Sequence, residues 1–275
     1  MRRRSVGHSL LVGLFAFGLA KAESPALTSE QKEEFLQTAK VLKTRTLSEG
    51  VTQSLRASLS DRDFTHDASI QAIDENKNVF TSALGTELNF KDTYKANIAA
   101  YRLAKLLGLG DMVPPSIERS LDRSSAAFTW WVDDVLMTEK ERYFTKKAPP
   151  DPDRWNRQMY LVRIFDELIF NTDRNLGNLV IDRKWNLHMI DHTRAFRLHK
   201  KLKNEKNLTR CDRKLFAALQ VLDRTSLQQE LTPYLDKGEI GAVLARRDLI
   251  VRLFEDLAAQ KGDAAVFYDF LAPHN

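Results

Sequence analysis

The residues best suited to do chemistry lie in one tract, IFNTDRNLGNLVIDRKWNLHMIDHTRAF, from Ile169 to Phe196. Asp173 and Asn178 stand five apart in a polar loop, and Asp191 follows a short two-strand pattern. Two carboxylates and a carboxamide converging from a loop and a strand end suit a Mg²⁺–nucleotide site. One carboxylate faces an attacking hydroxyl, while the amide and the other carboxylate hold metal on the phosphates. Taken alone, Asp173 reads as a turn residue after a helix. Its joint spacing with Asn178 and Asp191 makes a catalytic role for Asp173, and metal roles for Asn178 and Asp191, the sharper expectation.

Several elements must position this tract. Residues 154–169 repeat apolar side chains at helical spacing (Trp155, Met159, Val162, Phe165, Leu168, Ile169), so a long helix delivers the chain to the loop. Residues 179–182 and 187–190 read as short strands that carry Asp191 back. Earlier, residues 28–42 open a helix capped at Thr28 or Ser29, a turn at 50–54 joins two strands, and 68–73 alternates as a further strand. Residues 92–107 form an amphipathic helix ended by Gly108, and 113–117 and 126–132 are extended. The Pro-rich stretch 146–153 (KKAPPDPD) is the best linker. Three helices are expected over 212–222, 226–235 and 240–259. The predicted architecture is α+β: a signal peptide at 1–22, a helical segment at 23–48, a β-rich lobe at 49–145 and an α-rich lobe at 146–275.

Between Glu49 and Phe196 the chain resembles the atypical kinase group that includes the phosphatidylinositol 3/4-kinase-like, HipA-like and secreted Fam20-like proteins. The resemblance rests on Asp173, Asn178 and Asp191 with two strands between. It extends to Ala99-Ala100-Tyr101 through Gly108 and on to Val113-Pro114-Pro115. It implies a two-lobed kinase-like fold that uses ATP with Mg²⁺ or Mn²⁺, and it exposes two departures. Gln71 stands where the group keeps a phosphate-binding lysine, and Asn97 stands where it keeps that lysine's glutamate partner. The resemblance also implies phosphate contacts from the turn at Gly50, Thr52 and Ser54. Arg56, on the next strand, is placed to reach the phosphates instead of the missing lysine. His192, Trp130, Trp131 and Cys211 read as packing residues, Arg174 as an ion pair within its loop, and Arg246 and Arg247 as helix-surface charges.

Composition narrows the classes. The start MRRRS, the apolar run 10–19 and Ala20-Lys21-Ala22 form a secretory signal pattern, too short for a comfortable membrane span. The expected location is therefore secreted or periplasmic, with no membrane span after cleavage. The chain has 42 basic and 37 acidic side chains; loss of Arg2, Arg3, Arg4 and Lys21 leaves 38 against 37. Near-neutral charge gives no reason to expect nucleic acid. One cysteine supplies no disulfide. H-E-x-x-H, G-x-S-x-G and dinucleotide-binding patterns do not occur. The readings are an exported phosphotransferase acting on a protein, lipid or small-molecule acceptor, a pseudokinase that binds nucleotide or protein without turnover, and an adenylyl transferase on the same fold. N-terminal sequencing of exported protein is expected to begin at Glu23; a mature chain still starting at Met1 in the cytoplasm would refute the signal.

Overall fold

Alternation decides the first half of the chain. In a computed structural model that describes residues 27–47, 54–82 and 85–271, β2 (Leu55–Asp61) and β3 (Phe64–Gln71) bury Ala57, Leu59, Ala68 and Ile70 on one face. Because successive side chains point to opposite sides of a strand, Arg56, Ser58, Asp67, Ser69 and Gln71 share the other face. Helix α1 (Ser29–Thr38), held by a Thr28–Gln31 capping box, covers the apolar face with Phe35, Leu36 and Ala39. Each such large side chain, fully buried, stabilises by about 1.5–3 kcal/mol. The sheet is completed by β1 (Lys40–Thr46), by β6 (Ser116–Leu121) and by β7 (Ser124–Trp130), in the antiparallel order β1-β2-β3-β7-β6.

Two features differ from the expected arrangement. The 23–48 segment is not helical throughout, because β1 pairs with β2 along its length. Its side chains are nearly all exposed, so no apolar alternation marks it. The strand expected at 68–73 begins at Phe64 and stops at Gln71. After it, β4 (Asp74–Ser82) and β5 (Gly85–Thr93) form a separate hairpin ahead of α2 (Lys95–Leu106). That hairpin carries mostly polar residues and buries little, which leaves no core-facing period to read.

The second half begins before the Pro-rich stretch. β8 (Val135–Thr138) pairs with β9 (Leu179–Asp182), which pairs with β10 (Leu187–Met189). Between them come α3 (Glu139–Thr145) and α4 (Pro152–Ile169). Asp151 caps α4 by accepting from Arg154 N at 2.9 Å, Pro152 opens it at a position that needs no donor, and Phe170 closes it in a left-handed conformation (φ 48°). Helices α5 (Arg213–Val221), α6 (Arg224–Leu231) and α7 (Lys237–Lys261) follow. The main core joins the buried faces of α2, α4 and α7 with β9 and β10. Cys211 is fully buried within it, and burial pushes its thiol well above the ordinary range.

The β9–β10 turn has a charge at its centre. The Asp182 carboxylate accepts from the backbone of Lys184 and Asn186, each at 2.8 Å, from the Asn186 amide at 2.7 Å and from His188 at 3.2 Å. Burial alone would raise this carboxyl; His188 and the Asn186 donors outweigh it and hold it at about 2, below the ordinary 3.8. A depressed carboxyl contributes stability that is present above its unfolded value and lost as pH falls through its folded one. Asp182→Asn is therefore expected to cost about 2 kcal/mol at neutral pH. Its deficit against wild type in denaturant titrations should shrink as pH is lowered through the carboxylate range. A deficit constant with pH would remove the charge from this account.

Candidate active site

The loop after α4 is tied to the segment after β10 by one guanidinium. Arg174 Nε donates to Asp166 near the end of α4, at 3.0 Å, while Nη1 donates to the carbonyls of Asn178, at 2.8 Å, and Ile190, at 2.7 Å. The sequence reading of an ion pair within the loop captures only part of this reach. Asn171 bonds Asp166 through its amide and accepts from Asp173 N at 3.0 Å. Asn178 Nδ2 donates to the Asp173 carbonyl at 3.1 Å, which fixes the carboxamide against the loop. Thr172 bonds the Arg194 carbonyl through its hydroxyl at 2.9 Å. Asp173, Asn178 and Asp191 are thereby held in register although two strands separate them in sequence.

Asp173 and Asp191 feel each other electrostatically. Burial raises the Asp173 carboxyl above its ordinary value and the Asp191 charge adds to the rise, while Arg194, Arg174 and Lys203 oppose it. Asp191 sits in the left-handed region (φ 54°), which aspartate tolerates better than most side chains. Its Oδ1 accepts from Gln71 Nε2 at 3.2 Å and from Thr193 Oγ1 at 3.3 Å. Among the described residues no three His, Cys, Asp or Glu side chains form a ready-made metal cage. A nucleotide-borne Mg²⁺ does not need one, since it takes one or two carboxylates and fills its shell with phosphate oxygens and water. Asp191 with the Asn178 carboxamide is a donor set of that kind.

Gln71 and Asn97 meet, as the resemblance to the kinase group implies. Asn97 Nδ2 donates to Gln71 Oε1 at 2.6 Å, and Asn97 Oδ1 accepts from His192 N at 2.7 Å. With the bond from Gln71 to Asp191, a neutral chain of amides links α2, β3 and the segment after β10. His192 is buried against the edge of Phe165, and burial, with Arg174 adding to it, pushes its imidazole well below its ordinary value. It is a neutral packing group.

The proposed phosphate contacts divide. Gly50 and Thr52 lie outside the described residues. Ser54 is buried, with its carbonyl accepting from Leu47 N at 2.9 Å. Arg56 lies on the same face as Gln71 but already has partners. Its Nε bonds Asp67 at 2.6 Å, and its guanidinium lies 4.0 Å over the Trp131 ring. Ser58 donates to the same Asp67 at 2.6 Å.

Some site residues escaped the sequence. Arg246 is fully buried rather than on a helix surface, and it donates to the carbonyls of Leu168 at 2.7 Å, Arg197 at 3.0 Å and His199. Glu87, on the hairpin, pairs with Arg194 at 2.6 Å and Arg197 at 2.7 Å, just past Asp191. Asp92, the next-to-last residue of β5, is a buried acid that feels the Asp191 charge. A buried arginine at helical spacing looks like a surface one, and nothing local marks an acid before a helix as part of a cleft.

No protein-family model and no curated protein sequence matches the chain. Solved structures do. A hydra Fam20 structure with sugar superposes with TM-score 0.64 at 15% identity, covering 87% of this chain and 92% of that one. A Golgi casein kinase follows at 0.61 and 13%, covering 88% and 78%. The Helicobacter pylori proinflammatory kinase CtkA gives 0.51 and 10%, covering 82% and 96%. The α+β fold, with its β-rich first lobe and helical second lobe, is an atypical kinase-like fold.

Gln71 and Asn97 are expected to be energetically coupled. Truncating Asn97 to Ala leaves the His192 N–H unpaired, and truncating Gln71 strands the Asn97 amide. Their double-mutant cycle in denaturant should show a coupling of roughly 1 kcal/mol or more. Among charge-restoring changes, Gln71→Lys should be tolerated better than Asn97→Glu, because the lysine meets Asp191 whereas the glutamate confronts it. Additive truncations would mean that the amides do not act as a unit.

Proposed function

We propose that this chain is an exported kinase-fold phosphotransferase, moving a phosphoryl group from ATP bound with Mg²⁺ or Mn²⁺ to an acceptor hydroxyl on a protein, lipid or small molecule. The observation that carries the reading is the convergence of Asp173, Asn178 and Asp191, registered by Arg174. The cation supplies neutralisation of phosphate charge when bound, held by Asp191 and the Asn178 carboxamide. Asp173 orients the acceptor hydroxyl and takes its proton late, a role that asks for position more than for basicity. Arg194 and Lys203 lower the cost of charge on Asp173. Export is supported by the signal pattern at residues 1–22, which lie outside the described residues.

A second reading, a pseudokinase that binds nucleotide or protein without turnover, has an observation of its own. The Gln71–Asn97 pair is neutral where a lysine–glutamate ion pair is expected, so no fixed cation stands beside Asp191 from β3. Intact-mass measurement after incubation with ATP and Mn²⁺, with a panel of acceptors, separates the readings. One added phosphate supports the first, added AMP supports adenylyl transfer, and neither, with metal-independent nucleotide binding, supports the pseudokinase. Asp173→Ala is expected to lower kcat by about 10²–10⁴-fold while leaving nucleotide affinity nearly intact. A variant keeping more than roughly a tenth of the rate would place Asp173 outside the chemistry.

A further inference from the structure

Asp92 lies where a strand, a helix start and the segment after Asp191 meet. It is 8% exposed, and its Oδ1 has no hydrogen-bond partner. The backbone at this point is fixed: Thr93 N donates to the Thr193 carbonyl at 3.0 Å, stitching the end of β5 to the residues just past Asp191. Thr193 stands between the two acids, with its hydroxyl on Asp191 and within reach of Asp92. Across the hairpin, Glu75 is the register partner of Asp92. Arg194 and Arg197 are the cations nearby, and both are already paired with Glu87.

A buried carboxylate oxygen without a donor, within range of a second carboxylate's charge, is costly twice over, through lost hydration and through like-charge repulsion. Such a group is retained where something offsets it. Gln71 cannot, since it brings a neutral N–H to Asp191 in place of a lysine's full charge. The geometry points to Asp92 as a further ligand for the divalent cation that Asp191 would hold. A pair of carboxylates falls short of a metal cage by itself, in keeping with the absence of one among the described residues. It matches a cation whose other ligands arrive with the nucleotide phosphates. This assignment rests on the proposed nucleotide site and adds to it a residue from the hairpin side of the cleft.

The test uses full mature protein and follows Mn²⁺ binding by electron paramagnetic resonance, with and without ADP, alongside thermal melting. Wild type, Asp92→Asn, Asp191→Asn and Glu75→Gln are compared, with Asp92→Ser in place of Asp92→Asn if that variant does not fold. Asp92→Asn is expected to weaken Mn²⁺ binding by about tenfold or more, the least that loss of even a supporting group usually costs a metal site. It should also raise the melting temperature of the metal-free protein and lose most of the stabilisation that Mn²⁺ gives wild type. Glu75→Gln should bind Mn²⁺ as wild type does. If Asp191→Asn loses Mn²⁺ while Asp92→Asn keeps wild-type affinity, Asp92 is not a ligand and the nucleotide-site reading stands. A lower melting point for metal-free Asp92→Asn would also overturn the assignment, by showing that protein donors satisfy the carboxylate. If wild type binds no Mn²⁺ with or without ADP, both readings fall.

Discussion

The bonds of Arg174 to two backbone carbonyls and one carboxylate are the constraint on which the cleft depends. The loop 171–178 and the chain after Met189 have no regular ladder to satisfy their backbone, so their carbonyls need donors from side chains. Arg174 supplies them from a planar fork that a lysine could not reproduce. With its side chain only 12% exposed and that of Asp166 14%, breaking the pair would leave an uncompensated charge inside, at a cost of about 3–5 kcal/mol. Arg246 repeats the device one layer below, gathering carbonyls from the end of α4 and from residues 197 and 199. Burial lowers its guanidinium to about 10, so it still carries its charge at neutral pH. One partly buried and one fully buried cation thus replace regular hydrogen bonding beneath and beside the loop.

Above the loop, the link between the lobes is neutral. An ion pair between a strand lysine and a helix glutamate would fix α2 by Coulombic attraction and place a positive charge beside Asp191. The Gln71–Asn97 pair fixes α2 by direct hydrogen bonds and continues to His192 N and Asp191, but places no charge there. Position is preserved and electrostatics is not. On the proposed reading, nucleotide phosphates would meet Asp173, Asp191 and Asp92 without a lysine from β3, which would make a divalent cation more necessary than in a cleft that keeps one.

How much of this was legible depends on what each residue buries. The 169–196 tract could be read because its polar residues interrupt strong apolar patterns on both sides; Leu179 to Asp182 and Leu187 to Met189 paired as expected. The Gln71–Asn97 meeting was legible only through the resemblance, since their side chains are 26 positions apart and neither type is unusual. β1 and the β4–β5 hairpin were not legible, because strands that bury little carry no period. Arg246 was misread for the opposite reason: it occupies a core position, which composition assigns to apolar residues, and its carbonyl partners come from distant chain. Asp92 looked like a residue at the start of a helix, when α2 begins only at Lys95.

The hairpin explains why these illegible parts matter. It leaves the sheet after Gln71 and returns at Asp92, so the strand end that carries the one and the helix start that follows the other are joined through it. Glu87 holds Arg194 and Arg197, while Phe90 lies under both guanidinium groups at 5.0 and 5.6 Å. At its base Lys91 pairs with Glu239 at the start of α7, in the turn closed by the Asp236 capping box. The hairpin therefore fastens the segment after Asp191 and the start of α7 together, using ion pairs whose Arg197 and Glu239 members are buried, with an aromatic ring under both arginines. A cleft whose ceiling lacks a fixed cation gains from a rigid acidic side, because a carboxylate can share a metal only if it cannot swing away into water. The same clamp that keeps Arg194 on Glu87 keeps that arginine from collapsing onto Asp92, and so leaves one carboxylate oxygen there unpaired.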